Sequence, residues 1–176
     1  MSTFKRQLAK GKVGESSISQ WLRGRGFNVL PIYEIEMDQG KGPALFSADG
    51  GEIIAPDILA FKGDKFIWVE AKHKTAFSWH RNTNRFVTGI DLRHYMEYQK
   101  INMLVNFPVW LMFLHQGGQA KDSVLSPSGL FGNNINFLVK HENHRSGNWG
   151  KSGMVYWAVK SLRKLSEYPL PLAGAA

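Results

Sequence analysis

Apolar residues recur along the chain at two different spacings, and each spacing predicts a type of element. In residues 4–25, apolar and small side chains return every three or four positions, which predicts an amphipathic helix ending at a Gly-Arg-Gly sequence. Shorter apolar runs predict strands over residues 27–36, 53–61, 65–72 and 109–115. The pattern therefore predicts several strands preceded by one long helix.

A second helix is predicted between the third and fourth strands. Residues 90–105 have helical periodicity, Asp91 is a suitable N-cap, and Pro108 breaks the pattern before the last strand. The apolar stripe of this helix is expected to contain Leu92, Met96 and Met103, with Gln99 interrupting it. The order of helix, three strands, helix and strand predicts a mixed α/β layer.

The connecting segments carry weaker signals. Residues 37–52 predict a loop or an irregular hairpin, residues 63–64 a tight turn, and residues 75–88 a polar, aromatic-rich segment. Beyond residue 116 we expect strands over 135–140 and 154–160, a short basic helix over 161–166 and a flexible tail over 169–176.

The length fits one domain of residues 1–168. Its core would span residues 5–115, followed by a β-rich elaboration over residues 116–168. The pattern leaves open whether residues 116–160 form a dimer surface or a substrate clamp.

Composition narrows the class of protein. The chain is 43% hydrophobic, has no cysteine and shows no signal-peptide pattern at its start, so we expect an intracellular (cytoplasmic) protein without a membrane partner. The 22 Lys and Arg against 14 Asp and Glu give a net charge of +8. Such an excess favours a polyanionic partner, above all nucleic acid, although many basic proteins bind nothing specific.

The strand over 65–72 carries charge where an apolar residue is expected. Side chains alternate in a strand, so Trp68, Glu70 and Lys72 share one face and Ile67, Val69 and Ala71 share the other. One interpretation is a simple surface ion pair between Glu70 and Lys72.

Asp57 lies in the preceding strand, at a distance along the hairpin that lets it face Glu70. Two carboxylates repel each other unless a divalent cation neutralises them, so the pair also indicates a metal site. Glu15 interrupts the apolar stripe of the first helix; it is either an exposed charge on a slightly rotated helix or a third acidic group.

Taken together, these residues resemble a known family. The PD at residues 56–57, the EAK at 70–72, the helix GKVGESSISQWLRGRGFNV with Glu15, and EYQK with Gln99 resemble the PD-(D/E)xK nuclease superfamily. The resemblance covers residues 5–115. It implies a restriction-endonuclease-like core (α-β-β-β-α-β, a mixed central sheet flanked by helices) of the kind found in Holliday-junction resolvases, restriction enzymes and phage exonucleases.

The resemblance also implies a set of roles. Asp57, Glu70 and the carbonyl of Ala71 would bind Mg²⁺, or Mn²⁺ in its place, and Glu15 would bind directly, through water or at a second metal. Lys72 would orient or deprotonate the attacking water, and Gln99 would position water or the DNA backbone.

The aromatic-rich segment after Lys72 is the predicted DNA-binding region. Basic side chains can follow phosphates while aromatic rings stack on bases, but the rings can equally anchor a loop to the core. The residues proposed to contact nucleic acid are Lys12, Lys74, Trp79, His80, Arg81 and Arg85.

The sequence thus predicts a metal-dependent deoxyribonuclease. It leaves open a branched-DNA resolvase acting as a homodimer and an exonuclease or end-processing enzyme in recombination, repair or phage DNA processing. The alternative from another class is a nucleic-acid-binding protein of nuclease fold without turnover.

Overall fold

A computed structural model describes residues 3–32, 43–119, 124–147 and 152–171. The first part of the chain forms α1 (Thr3–Gly24), β1 (Asn28–Pro31), β2 (Ala44–Phe46), β3 (Glu52–Ile54), β4 (Ile58–Lys62), β5 (Lys65–Lys74), β6 (Ser78–His80), β7 (Arg85–Asp91), α2 (Leu92–Leu104) and β8 (Val109–His115). The second part forms β9 (Gly118–Gln119), β10 (Leu125–Ser126), β11 (Gly129–Asn134), α3 (Ile135–Val139), β12 (His144–Ser146), β13 (Met154–Ala158) and β14 (Arg163–Ser166).

The central sheet has six strands in the order β1-β4-β5-β8-β11-β14. Strands β5 and β8 pair in parallel, and the other neighbours pair antiparallel, so the sheet is mixed as predicted. Read along the chain, α1, β1, β4, β5, α2 and β8 give the predicted α-β-β-β-α-β core. This order and the flanking helices confirm the predicted fold class.

Each face of the central sheet is covered by different elements. On one face, Ile18 and Leu22 of α1 pack against Val69 and Ala71 of β5. On the other face, α2 and α3 pack over Trp68 and the inner residues of β8. Among the described residues, no helix is long and apolar enough to cross a membrane.

A second, four-stranded sheet has the order β12-β13-β7-β6 and joins two distant parts of the chain. The segment over 75–88, predicted without regular structure, contributes the β6–β7 hairpin, and the C-terminal part contributes β12 and β13. Strand β7 leads directly into α2, because Asp91 ends the strand and its side chain caps the helix by accepting a hydrogen bond from the Arg93 amide at 2.9 Å. The predicted N-cap is confirmed.

Several predicted boundaries differ from the structure. The single strand predicted over 53–61 is two strands, β3 and β4, because Pro56 lacks an amide hydrogen and interrupts the pairing. Strand β3 pairs with β2, which confirms a hairpin before Pro56. Residues 33–36 of the first predicted strand and 37–42 of the predicted loop lie outside the described residues.

The C-terminal elements differ more. Residues 135–140 were predicted as a strand but form α3, whose first turn is capped by Asn134 through a bond from the Phe137 amide at 2.9 Å. Residues 161–166 were predicted as a helix but contain β14, which pairs with β11 at the sheet edge. The strand predicted over 154–160 is confirmed for Met154–Ala158 (β13), whereas Val159–Ser161 form a short 3-10 helix. In the predicted tail, Leu170 packs partly buried against the α1-side core, and residues 172–176 lie outside the described residues.

Candidate active site

Strand β5 holds the central charged residues, and its alternation is as predicted. Trp68 belongs to the α2-side core, whereas Val69 and Ala71 belong to the α1-side core. Glu70 and Lys72 therefore face the α2 side. Glu70 is only 1% exposed, which excludes a surface ion pair.

Two partners satisfy the buried Glu70 carboxylate. The Tyr98 hydroxyl of α2 donates a hydrogen bond to Glu70 Oε2 at 2.6 Å, and Lys72 Nζ forms an ion pair with Glu70 Oε1. A buried charge costs several kcal/mol unless it is paired and hydrogen-bonded, and here both conditions are met. Sequence analysis missed Tyr98.

The end of β5 is open on its β4 side. Strand β4 begins at Ile58, opposite Val69, so within the described ranges the following β5 residues have a strand partner only in β8. There Asp57 Oδ2 accepts a hydrogen bond from the Ala71 amide at 2.9 Å. Asp57 was predicted inside a strand, but it lies in the bend between Pro56 and β4. This position leaves its carboxylate free to turn toward β5.

Glu15 approaches the same charges from α1. Its side chain is half-buried, and burial raises the pKa of the Glu15 carboxyl, with Glu70 adding to this and Lys72 and Lys12 opposing it. The electrostatic influence of Lys72 and Glu70 indicates that Glu15 borders the charged cluster of Asp57, Glu70 and Lys72. Glu15 is therefore not fully exposed, and its role as a third acidic group of the site stays a prediction.

The protonation of the cluster follows from burial and charge. Burial raises the pKa of Asp57 well above its ordinary value, and the negative charge of Glu70 raises it further. Burial alone would lower the pKa of Lys72, but the charges of Glu70 and Asp57 outweigh burial and raise it. Burial, followed by the charges of Glu70 and Asp57, raises the pKa of Tyr98 well above its ordinary value, so the hydroxyl acts as a donor.

The donor atoms suit a hard divalent cation, because carboxylate and carbonyl oxygens are the ligands that Mg²⁺ prefers. Within the described part of the chain, however, no three His, Asp or Glu side chains are grouped as a ready metal site. Lys72 is instead the positive group that contacts Glu70. The acids thus crowd together with one ammonium group as their internal counter-charge.

Helix α2 presents a different face from the predicted one. Tyr95, Tyr98 and Ile101 are its buried residues, whereas Met96 is 53% and Met103 is 77% exposed. Gln99 is half-buried and lies about 100° around the helix from Tyr98. The three-residue spacing of Tyr95, Tyr98 and Ile101 was the signal for this face.

The predicted DNA-binding residues lie in several elements. Lys74 ends β5, Trp79 and His80 belong to β6, Arg81 lies in the turn after β6, and Arg85 begins β7. Lys74 thus lies on the strand of the charged cluster, whereas the other four residues lie in or beside the strands of the second sheet. A sixth residue, Lys12, is exposed on α1.

Two solved structures are similar to this chain. One is Hjc, a Holliday junction resolvase from the archaeal hyperthermophile Archaeoglobus fulgidus; it is 9% identical, with 86% of this chain and 90% of that chain covered at a TM-score of 0.49. The other is a nuclease from a fusselovirus, 13% identical, with 94% and 89% covered at a TM-score of 0.45. No protein-family model matches the chain, and no curated protein matches its sequence.

The element order and the mixed sheet agree with the expectation from the sequence. The EAK residues lie at the open end of β5, and Asp57 contacts Ala71 there from outside the strand in which it was expected. The chain has the mixed α/β fold with the α-β-β-β-α-β order that its resemblance to PD-(D/E)xK nucleases implies.

Proposed function

We propose that this protein is a metal-dependent nuclease that hydrolyses phosphodiester bonds in DNA. The observation that carries the proposal is the charged cluster itself: Asp57, Glu70 and Lys72, bordered by Glu15, meet where β5 loses its β4 partner. Such a cluster destabilises the fold relative to apolar residues, so its presence favours a chemical role.

Asp57, Glu70, Glu15 and the Ala71 carbonyl would hold Mg²⁺ or Mn²⁺. In a strand, the amide and carbonyl of one residue point to the same edge, so the carbonyl of Ala71 faces the open side on which its amide meets Asp57. A bound divalent cation would activate water and offset the charge that develops on the phosphate. It would also relieve the repulsion between Asp57 and Glu70.

Lys72 would act on water and phosphate from the same strand. Its raised pKa keeps it an ammonium group, which donates hydrogen bonds, and its side chain is 31% exposed while its partner Glu70 is buried. Lys72 would therefore orient the attacking water and stabilise the negatively charged transition state. Tyr98 would hold Glu70 in place, and Gln99 would contact water or the DNA backbone.

The net charge of +8 supports a nucleic-acid substrate. Lys12 and Lys74 would contact phosphates beside the cluster. Within this class, a branched-DNA resolvase acting as a dimer and an exonuclease or end-processing enzyme are the two candidates.

One assay tests the proposal. Purified protein is incubated with supercoiled plasmid, linear duplex, single strand and four-way junction in Mg²⁺, Mn²⁺ or EDTA. We expect cleavage only with metal, and at least a roughly 100-fold loss in Asp57→Asn and Lys72→Met. The matched control is Lys100→Met, which removes an exposed lysine that pairs with Glu97 on α2.

The outcomes separate the candidates. Paired nicks in the junction alone would select the resolvase, and progressive loss from ends would select the exonuclease. Binding without cleavage would select the nucleic-acid-binding protein without turnover. Equal cleavage by wild type and both variants would reject the assigned site.

Metal binding has a readout that does not depend on cleavage. A cation that binds only the folded state raises its stability according to its free concentration. We expect Mg²⁺ to raise the melting temperature of the wild type but not of Asp57→Asn, relative to EDTA.

A further inference from the structure

The second sheet carries a cleft away from the charged cluster. Its volume is about 590 Å³, within the range of ligand-binding clefts, and its lining includes Trp79, His80, His144 and Tyr156. These residues come from β6, β12 and β13, so the cleft requires both the inserted hairpin and the C-terminal elaboration. We call it the aromatic cleft.

Three rings of the aromatic cleft lie nearly parallel. His144 pairs across the strands with Tyr156, and their ring centroids are 4.5 Å apart at an angle of 6°. His80 stacks on His144 with centroids 3.9 Å apart at 13°. All three side chains are only half-buried, and His144 lies between the other two rings. The stack is therefore preassembled, and a further flat ring would add to the outer face of one of its end rings.

The backbone of β7 lies close to the ring of Tyr156. Gly89 of β7 lies opposite Tyr156, and a Cβ atom at this position would stand 2.8 Å from Tyr156 Cδ1. The Cβ atom would also clash with the backbone oxygen of Val155, so a larger residue would push β13 away from β7 as well as displace the ring. His80 is also fixed, because its Nδ1 lies 2.8 Å from the Thr83 hydroxyl.

Positive charge borders the rings. Arg85 is the cross-strand partner of His80 and Arg81 follows it directly, and both arginines are exposed. Among the described residues, neither forms an ion pair. Arg145, by contrast, is engaged by Glu142 through bonds of 2.8 and 2.9 Å. The cationic groups available to a ligand are therefore beside His80.

We propose that the aromatic cleft binds an unpaired nucleobase of the DNA substrate, with the adjoining phosphates facing Arg81 and Arg85. Flat rings stack on any base without regard to sequence, and the arginines supply the phosphate contacts. Burial, followed by the charge of His80, lowers the pKa of His144, which favours a neutral imidazole in the stack.

The aromatic cleft is within reach of the same strand of DNA. Ser78 follows Lys72 by six positions, so their Cα atoms are at most about 22 Å apart. The inference rests on the proposed nuclease function, and it makes that function specific for DNA with unpaired bases, such as single strands, flaps or open junctions.

The test compares intact and abasic oligonucleotides. Binding of fluorescently labelled single strands is measured by anisotropy in EDTA, so that no cleavage occurs. An abasic strand keeps every phosphate and loses the stacking partner. We expect the wild type to bind the abasic strand about 10-fold more weakly than the intact strand.

Variants test whether the preference for intact strands arises from the aromatic cleft. The double variant His80→Asn with His144→Asn removes both imidazoles, and we expect it to lose most of the preference for intact strands. His141→Asn is the matched control, because His141 is exposed and stacks on Phe137 at 3.9 Å outside the aromatic cleft. The control should keep the 10-fold preference for intact strands.

The outcomes distinguish a failure of the base site from a failure of the nuclease proposal. No preference in the wild type, or an undiminished preference in the double variant, would overturn the aromatic cleft as a base site while leaving the nuclease proposal intact. A clear preference with no cleavage under any metal would uphold the base site and overturn the nuclease. Failure to bind any oligonucleotide in EDTA would overturn the base site, and the cleavage assay with metal would still decide the nuclease proposal. The wild-type comparison needs no variant, so misfolding of the double variant cannot hide the answer.

Discussion

The two faces of β5 are buried to the same degree but differ completely in chemistry. Val69 on the α1 face is fully buried among aliphatic side chains, and Glu70 on the α2 face is 1% exposed beside Lys72 and Tyr98. Burial of the first face stabilises the fold by about 25 cal/mol per Å² of apolar surface. The second face gains stability only through matched partners, because a lone buried charge costs several kcal/mol.

The difference between the faces has a local cause. Strand β4 begins opposite Val69, and the chain before it turns at Pro56 so that Asp57 reaches the Ala71 amide. In this part of β5, Val69 and Ala71 therefore pack in the α1-side core, while Glu70 and Lys72 place charge on the other face. Each prediction below changes one side chain on one of these faces.

The largest effect is expected from Lys72→Met. Removing the ammonium leaves Glu70 and Asp57 buried without their counter-charge, which we expect to cost about 3 kcal/mol. Lys100→Met, on the exposed pair with Glu97, should cost about 0.5 kcal/mol or less. Urea unfolding in EDTA measures both, and equal costs would mean that the charged face is fully hydrated.

Gly14→Ala tests the apolar face. A Cβ atom at Gly14 would lie 2.4 Å from the Cβ atom of His73, so α1 must move away from β5, at a cost of about 2 kcal/mol. Gly11→Ala is the control in the same helix, because its nearest neighbour would be Glu15 Oε1 at 3.8 Å.

We expect Gly11→Ala to stabilise the protein by about 0.5–1 kcal/mol, since alanine favours helix more than glycine. Thermal unfolding of the two variants should give shifts of opposite sign. Shifts of the same sign would contradict the close approach of α1 and β5.

Tyr98→Phe removes one hydrogen bond from the charged face. The bond to the buried Glu70 carboxylate should be worth about 1.5 kcal/mol, and its loss should also weaken Mg²⁺ binding about 10-fold by freeing Glu70 to reorient. The control is Tyr95→Phe, whose hydroxyl binds Glu142 at 2.8 Å while Arg145 still pairs with that carboxylate. Titration of Mg²⁺ by calorimetry should separate the two variants, and an equal loss in both would argue against a positioning role.

Asp57→Asn has the smallest expected effect on stability, about 1 kcal/mol, and its sign is favourable. The amide oxygen can still accept from Ala71, while the negative charge near Glu70 is removed. The variant should therefore be more stable than the wild type in EDTA and inactive as a nuclease.

The same variant gives a pH test. Because the pKa of Asp57 is raised in the folded protein, the folded state holds a proton that the unfolded chain releases above its ordinary value of 3.8. Wild-type stability should thus fall as the pH rises from about 4 through the raised pKa and then level off. Asp57→Asn should flatten this decline, leaving the smaller contribution of Glu15, and an unchanged profile would reject the raised pKa.

Local sequence patterns were sufficient to predict the elements around the charged face of β5. The alternation of Trp68, Glu70 and Lys72, the helix before β1 and the N-cap at Asp91 depend on neighbours in sequence, and each was predicted. Asp57 was predicted to lie near Glu70, but it was assigned to a strand instead of a bend. The bend exists because β3 pairs with β2 in a separate sheet.

The features that were not predicted depend on contacts between residues that are distant in sequence. Strand β11 reads as a glycine-rich loop, yet it fills the sheet between β8 and β14. Residues 135–139 have strand-type composition and become helical because Asn134 caps them. Tyr98 was missed because the apolar stripe of α2 was assigned to Met96 and Met103 instead of to the spacing of Tyr95, Tyr98 and Ile101. Its hydroxyl, once buried, requires a partner, and Glu70 supplies it.

Asp91 connects β7 directly to α2, which restricts how these two elements can move relative to each other. It ends β7 and begins α2 with no intervening linker, and it is held there by bonds from the Arg93 amide at 2.9 Å and the Ser152 hydroxyl at 2.5 Å. The sheet that carries the aromatic cleft and the helix that carries Tyr98 therefore cannot hinge independently. Any rotation of that sheet must either break the cap at Asp91 or turn α2, and with it the hydroxyl that holds Glu70.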